Sequence, residues 1–136
     1  MLQIQNRTVC LLAVPYILVV CCAAGCSTRS TNEFVPAKDR ARKALDEALT
    51  AWQNGESDQI TNVSPKVNAV DSRWKKGAKL AKYEILSAEV DPGGQSFSVK
   101  LTLQQPPGEK TIRYIVIGKD PLWVYSEEEY KAVGGQ

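Results

Sequence analysis

Asp71, Glu84 and Tyr114 are the side chains of this sequence best suited to moving a proton. The chain contains no histidine. That removes Ser-His-Asp hydrolysis, Cys-His proteolysis and nearly all zinc catalysis. An isomerase or cyclase would need an acid and a base facing each other in a pocket. Nothing in the spacing of positions 71, 84 and 114 binds them together. Asp71 opens the run Asp71-Ser72-Arg73-Trp74-Lys75-Lys76-Gly77. It could serve as a general base beside Trp74. The plainer use is as a cap for a short helix over Ser72 to Lys76, with Gly77 closing the turn and Trp74 plugging the open end of the core. We expect no catalytic residue, no metal ligand set and no cofactor.

The same region holds Arg73, Lys75, Lys76, Lys79 and Lys82, all before the next acid, Glu84. Such a cluster suits lipid phosphates or another polyanion. It also suits a solvated face that keeps a domain soluble. Glu127-Glu128-Glu129 reads as a frayed, solvated end, because adjacent carboxylates do not surround a cation without other ligands. Tyr83, Tyr114, Tyr125, Trp123 and Phe97 could line an apolar pocket, but aromatics at alternating strand positions are ordinary core.

The chain has 136 residues, with 17 Lys+Arg against 15 Asp+Glu. One domain fills that length. A formal charge of +2 is too small for a nucleic-acid binder.

Cysteine placement says where the protein goes. All four cysteines, Cys10, Cys21, Cys22 and Cys26, fall near the N-terminus. Arg7 is the only charge before Arg29, and Val9 to Ala24 is apolar or small apart from the Tyr16 hydroxyl. A basic start, an apolar run and small residues before a cut make a secretory signal peptide. The run is about as long as the shortest transmembrane helix, and Pro15 interrupts it. Its end, Ala23-Ala24-Gly25-Cys26, resembles the bacterial lipobox, although Ala23 stands where Leu is commoner. The resemblance implies that Cys26 takes a diacylglyceryl group, that cleavage precedes it, and that its amine is acylated, commonly with palmitate. It implies residues 1–25 as signal peptide and an exported, lipid-anchored protein. Ser27 in place of Asp leans toward the periplasmic face of the outer membrane, in a cell that has one. A domain cut at Cys26 keeps no free thiol, so it has neither disulfide nor Cys nucleophile.

Residues 26–36 are the lipidated end and a polar tether. Ten residues, Ser27 to Pro36, reach at most about 35 Å. From residue 37 to 136 we expect a single domain. Ala41, Ala44, Leu45, Ala48, Leu49 and Trp52 share one face of a helix, and Gly55 suits its C-terminal cap. Ser57 to Asn62 reads as an added helical turn. Beyond it the period falls to two. Strands are expected over Val67 to Val70, over Lys79 to Val90 and over Phe97 to Leu103. Two more follow, around Tyr114 and over Leu122 to Ser126. Asp91-Pro92-Gly93-Gly94, Pro106-Pro107-Gly108 and Gly118-Lys119-Asp120-Pro121 supply the turns. Short loops force antiparallel pairing. The expected fold is α+β, one main helix packed on a curled antiparallel meander of four to five strands.

That order resembles the cystatin-like and nuclear transport factor 2-like folds. With Trp52, the Val70 to Gly77 run, Tyr83-Glu84-Ile85-Leu86 and the late Gly-Lys-Asp-Pro turn, the chain also resembles small lipoproteins of planctomycete bacteria. The resemblance implies a fold and a place but no activity. We therefore expect a non-catalytic interaction module of the envelope. Its partners would be the membrane, through the lipid, and an envelope protein, with no nucleic acid. A small-ligand carrier, or a cyclase-type or isomerase-type enzyme using the concave sheet face, is the alternative.

Overall fold

The computed structural model describes residues 31–91 and 93–135. The expected signal peptide, Cys26 and the first part of the tether lie outside the described residues. The chain joins the domain through a 3-10 turn at Thr31–Phe34, inside the stretch read as a plain tether. Glu33 pairs with Lys119 at 3.3 Å. Pro36 is buried and its carbonyl accepts from Gln95 Nε2 at 3.2 Å.

Helix α1, Lys38–Gln53, buries the face its spacing predicts, together with Ala51. Gly55 stops it at φ +69°, a left-handed conformation that costs glycine nothing, and its N–H reaches the Trp52 carbonyl at 3.0 Å. Strands β1 (Gln59–Ile60) and β2 (Val67–Val70) and helix α2 (Ser72–Lys75) follow. Then come β3 (Lys79–Asp91), β4 (Gly94–Gln105), β5 (Pro107–Gly118), β6 (Leu122–Ser126) and helix α3 (Glu127–Ala132).

The class is α+β, and β3 to β6 form the antiparallel meander that the turns dictate. The sheet is larger and less uniform than expected. It has six strands in the order β1-β2-β6-β5-β4-β3. Strand β2 lies beside β6 and parallel to it, with Val67 opposite Leu122 and Val70 opposite Tyr125. Alternation shows that Val67 and Ala69 must be covered, but it does not say which sheet edge covers them. Strand β1 replaces the helical turn expected over Ser57 to Asn62. Ile60 is buried and pairs with Val67, so one apolar anchor next to β2 overrides local preference.

The C-terminal acids are not frayed. They form the first turn of α3, where the positive end of the helix dipole favours carboxylates. Tyr130 fastens that helix against Tyr125, with ring centres 6.0 Å apart.

The core lies between α1 and one face of the sheet. Leu45 and Leu49 meet Phe97, Val99, Leu101, Val116, Leu122 and Val124, all nearly or wholly withdrawn from water. Burying side chains of this size supplies about 1.5–3 kcal/mol each before the entropy of ordering is deducted.

Candidate functional site

Strand β2 ends level with Tyr125, and the β5–β6 register sets Ser126 opposite Tyr114. Asp71 leaves the sheet at that level. Its Oδ1 accepts from the Arg73 N–H at 2.8 Å, the expected helix cap. Its Oδ2 accepts from the Tyr114 hydroxyl at 2.6 Å. Both residues are only 2% exposed. Burial first, and the Asp71 charge second, push the Tyr114 phenol well above its usual range. The phenol therefore keeps its proton and serves as a donor.

Arg73 completes this cluster. Its Nε lies 3.5 Å from Asp71 Oδ1, and its Nη1 donates to Glu128 Oε2 at 2.9 Å. Tertiary structure thus unites Asp71 with Tyr114 but leaves Glu84 on the outer face of β3, opposite Lys100. The pair has the right groups for acid–base work and lacks access. At 2% exposure no substrate atom reaches either oxygen without opening the domain. Its evident work is to tie α2 to the middle of β5.

The five cations of the basic stretch separate. Arg73 is drawn inward, with its side chain 15% exposed. Lys82 lies opposite Thr102, by a cavity of about 190 Å³ that Glu84 and Lys100 also line. Lys75, Lys76 and Lys79 remain exposed together, at the end of the domain where α1 and α2 both stop.

The aromatic candidates do not surround one cavity. Phe97 and Tyr114 are core beneath α1. Trp123 and Tyr125 stack on the opposite face, 5.8 Å apart. Tyr83 reaches Asp46 Oδ1 and Thr50 on α1, each at 3.2 Å. Glu127 pairs with Lys131 at 2.9 Å while Glu128 turns to Arg73, so the three C-terminal acids do not converge. Among the described residues no three His, Cys, Asp or Glu side chains come together as a metal site. No described helix is long and apolar enough to cross a membrane.

Sequence reasoning missed Arg113. On the face opposite α1 it pairs with Asp91, donates to Ser96 Oγ at 3.0 Å, and lies 3.9 Å from Glu89 and 4.0 Å from Glu127. It thereby joins β3, β4, β5 and α3. Strand alternation puts Arg113 opposite in sense to Tyr114, but no local signal names partners so far along the chain. No protein-family description, curated protein or solved structure matches this chain.

Proposed function

We propose that this protein is exported, cut before Cys26 and lipid-anchored there, and that its α+β domain is a non-catalytic contact module of the cell envelope. The lipobox-like Ala23-Ala24-Gly25-Cys26 after an apolar run supports the anchor. The observation that carries the contact role is the division of polar groups. The buried Asp71–Tyr114 pair is closed to solvent, whereas Lys75, Lys76 and Lys79 are exposed at one end of the domain. We group the domain with the cystatin-like and nuclear transport factor 2-like folds, on the strength of a helix laid across a four-strand meander. In a cell with two membranes, Ser27 favours the periplasmic face of the outer one.

Two measurements test this reading. Intact mass of the membrane-extracted protein should show a lipidated chain beginning at Cys26, and Cys26→Ser should leave an uncleaved, unacylated precursor. A mature chain beginning elsewhere refutes the anchor. Turnover of a small ligand that is lost in Asp71→Asn refutes the non-catalytic assignment.

A further inference from the structure

Among the described residues four large apolar side chains stand in water: Phe34, Leu86, Val90 and Val133, at 62%, 51%, 71% and 64% exposure. Leu86 is the extra residue of a bulge on the β3 edge. The other three gather at one end of the domain, although they come from separate parts of the chain. Phe34 ends the 3-10 turn, and Lys119, just past β5, lies over its ring at 6.0 Å. Val90 sits opposite Gln95 in the β3–β4 ladder, and Gln95 Nε2 donates to the carbonyl of Pro36, close behind Phe34 in the chain. Val133 follows α3. The Tyr130 hydroxyl of that helix donates to the Gly93 carbonyl at 3.4 Å, and the Gly135 N–H returns to the Tyr130 carbonyl at 2.9 Å. The turn carrying Val133 is thereby fixed beside the β3–β4 hairpin.

The charges at this end are matched. Lys119 pairs with Glu33 at 3.3 Å, Lys131 with Glu127 at 2.9 Å, and Arg113 with Asp91. The exposed Lys75, Lys76 and Lys79 are at the other end. Helix α1 spans the distance between the two. It starts beside Gln95, next to Pro36, and its last residue, Gln53, donates from Nε2 to the Ala81 carbonyl near the start of β3 at 2.7 Å. Its 16 residues make about 24 Å.

Apolar side chains left in water favour any apolar phase within reach. The chain itself decides which phase that is. From Cys26 to Thr31 the backbone spans at most about 18 Å. A lipid on Cys26 therefore holds the Phe34 end against the bilayer at high effective concentration. A second copy is a poorer match, because a stable interface takes about 800 Å² per partner and three side chains do not supply it.

We propose that the end of the domain carrying Phe34, Val90 and Val133 docks on the bilayer that holds the anchor, with these side chains at the boundary between head groups and acyl chains. The inference rests on lipidation at Cys26 and gives the domain an orientation. The three lysines then face away from the membrane, about 24 Å further out. Because the contact is apolar and its neighbouring charges are paired, it survives high salt.

The test uses the membrane-extracted protein, reconstituted into vesicles of phosphatidylethanolamine and phosphatidylglycerol. A photo-crosslinking amino acid, p-benzoylphenylalanine, replaces Val90, Val133 or Lys76 in turn. After irradiation the peptides carrying positions 90 and 133 should gain the mass of a phospholipid, in low and high salt alike, and the peptide carrying position 76 should not. Phe34→Ser with Val133→Ser should remove most of the adduct at position 90 while circular dichroism stays native. Four results overturn the proposal: no lipid adduct at 90 and 133, an equal adduct at 76, adducts at 90 and 133 that vanish in high salt, or crosslinks from 90 and 133 to a second copy in place of lipid. Intact mass at Cys26 separates the two readings. A lipidated protein without adducts at 90 and 133 overturns the docking and leaves the anchor standing. A chain without lipid refutes the anchor; adducts at 90 and 133 in it still support the docking, and their absence refutes both.

Discussion

Tyr114 and Asp71 are 43 positions apart, yet they share a 2.6 Å hydrogen bond in the buried layer between α2 and β5. The phenol donates, the carboxylate accepts, and the Arg73 backbone holds the second carboxylate oxygen. Removing one member of such a pair leaves the other buried with its demand unmet. Tyr114→Phe should lower stability by about 1.5–3 kcal/mol, the range for a hydrogen bond to a charged group. Asp71→Ala should cost more, because it strands the buried phenol and also removes the cap on the Arg73 backbone N–H. Urea midpoints at constant slope measure both. An unchanged midpoint in Tyr114→Phe would show that the pair adds nothing.

Alkaline pH should destabilise the domain in a way that reports on the same phenol. Folded Tyr114 titrates well above 10.0, and burial also raises Tyr83 and Tyr125. The unfolded chain releases these protons near pH 10, so in that window it binds fewer protons than the folded chain. The phenols' contribution is thus fully present below about pH 10 and is lost as pH rises toward their folded values. Thermal midpoints should fall from about pH 10 upward, and less steeply in Tyr114→Phe. Equal slopes in the two proteins would exclude Tyr114 as a source.

Trp52 fastens the end of α1. It is 3% exposed, stacks on Trp74 and donates from Nε1 to the Ala78 carbonyl at 2.7 Å. Trp52→Ala should cost about 3–5 kcal/mol, as large-to-small core truncations do. With a total stability of about 5–15 kcal/mol for a domain of this size, the variant should be near unfolding at room temperature. A denaturation midpoint close to that of the parent protein would contradict the packing described.

Gly94 begins β4 where another backbone passes close. A Cβ there would sit 2.5 Å from Ile117 Cγ2 and 2.7 Å from the Val116 carbonyl oxygen. The carbonyl belongs to the β4–β5 ladder and cannot step aside. Gly94→Ala should therefore destabilise by about 1–3 kcal/mol, the range for overpacking. Gly55→Ala meets no atom, and its penalty comes from the positive φ alone. Thermal melts of the two variants should separate steric from conformational cost.

Several elements are readable from residue order alone, because their causes are local. Helix α1 follows from apolar residues on one face and a glycine past its end. The meander follows from alternating strands joined by loops too short for any pairing but antiparallel. The Asp71 cap follows from one residue type ahead of a short helix. Tertiary structure decides the rest. Periodicity tells which side chains need cover and not what covers them, so the parallel seat of β2 beside β6 and the strand at Ile60 are settled by packing. Lys75, Lys76, Lys79, Arg73 and Lys82 look alike on the chain. The fold divides them, because the backbone turn at α2 aims Arg73 at Asp71 and Glu128 while the β3 pleat sends Lys82 to the outer face. The Tyr114–Asp71 bond and the Trp52–Trp74 stack likewise join residues far apart in the chain. Contacts of that kind exist only once long loops have closed, and no local signal encodes which loop closes on which.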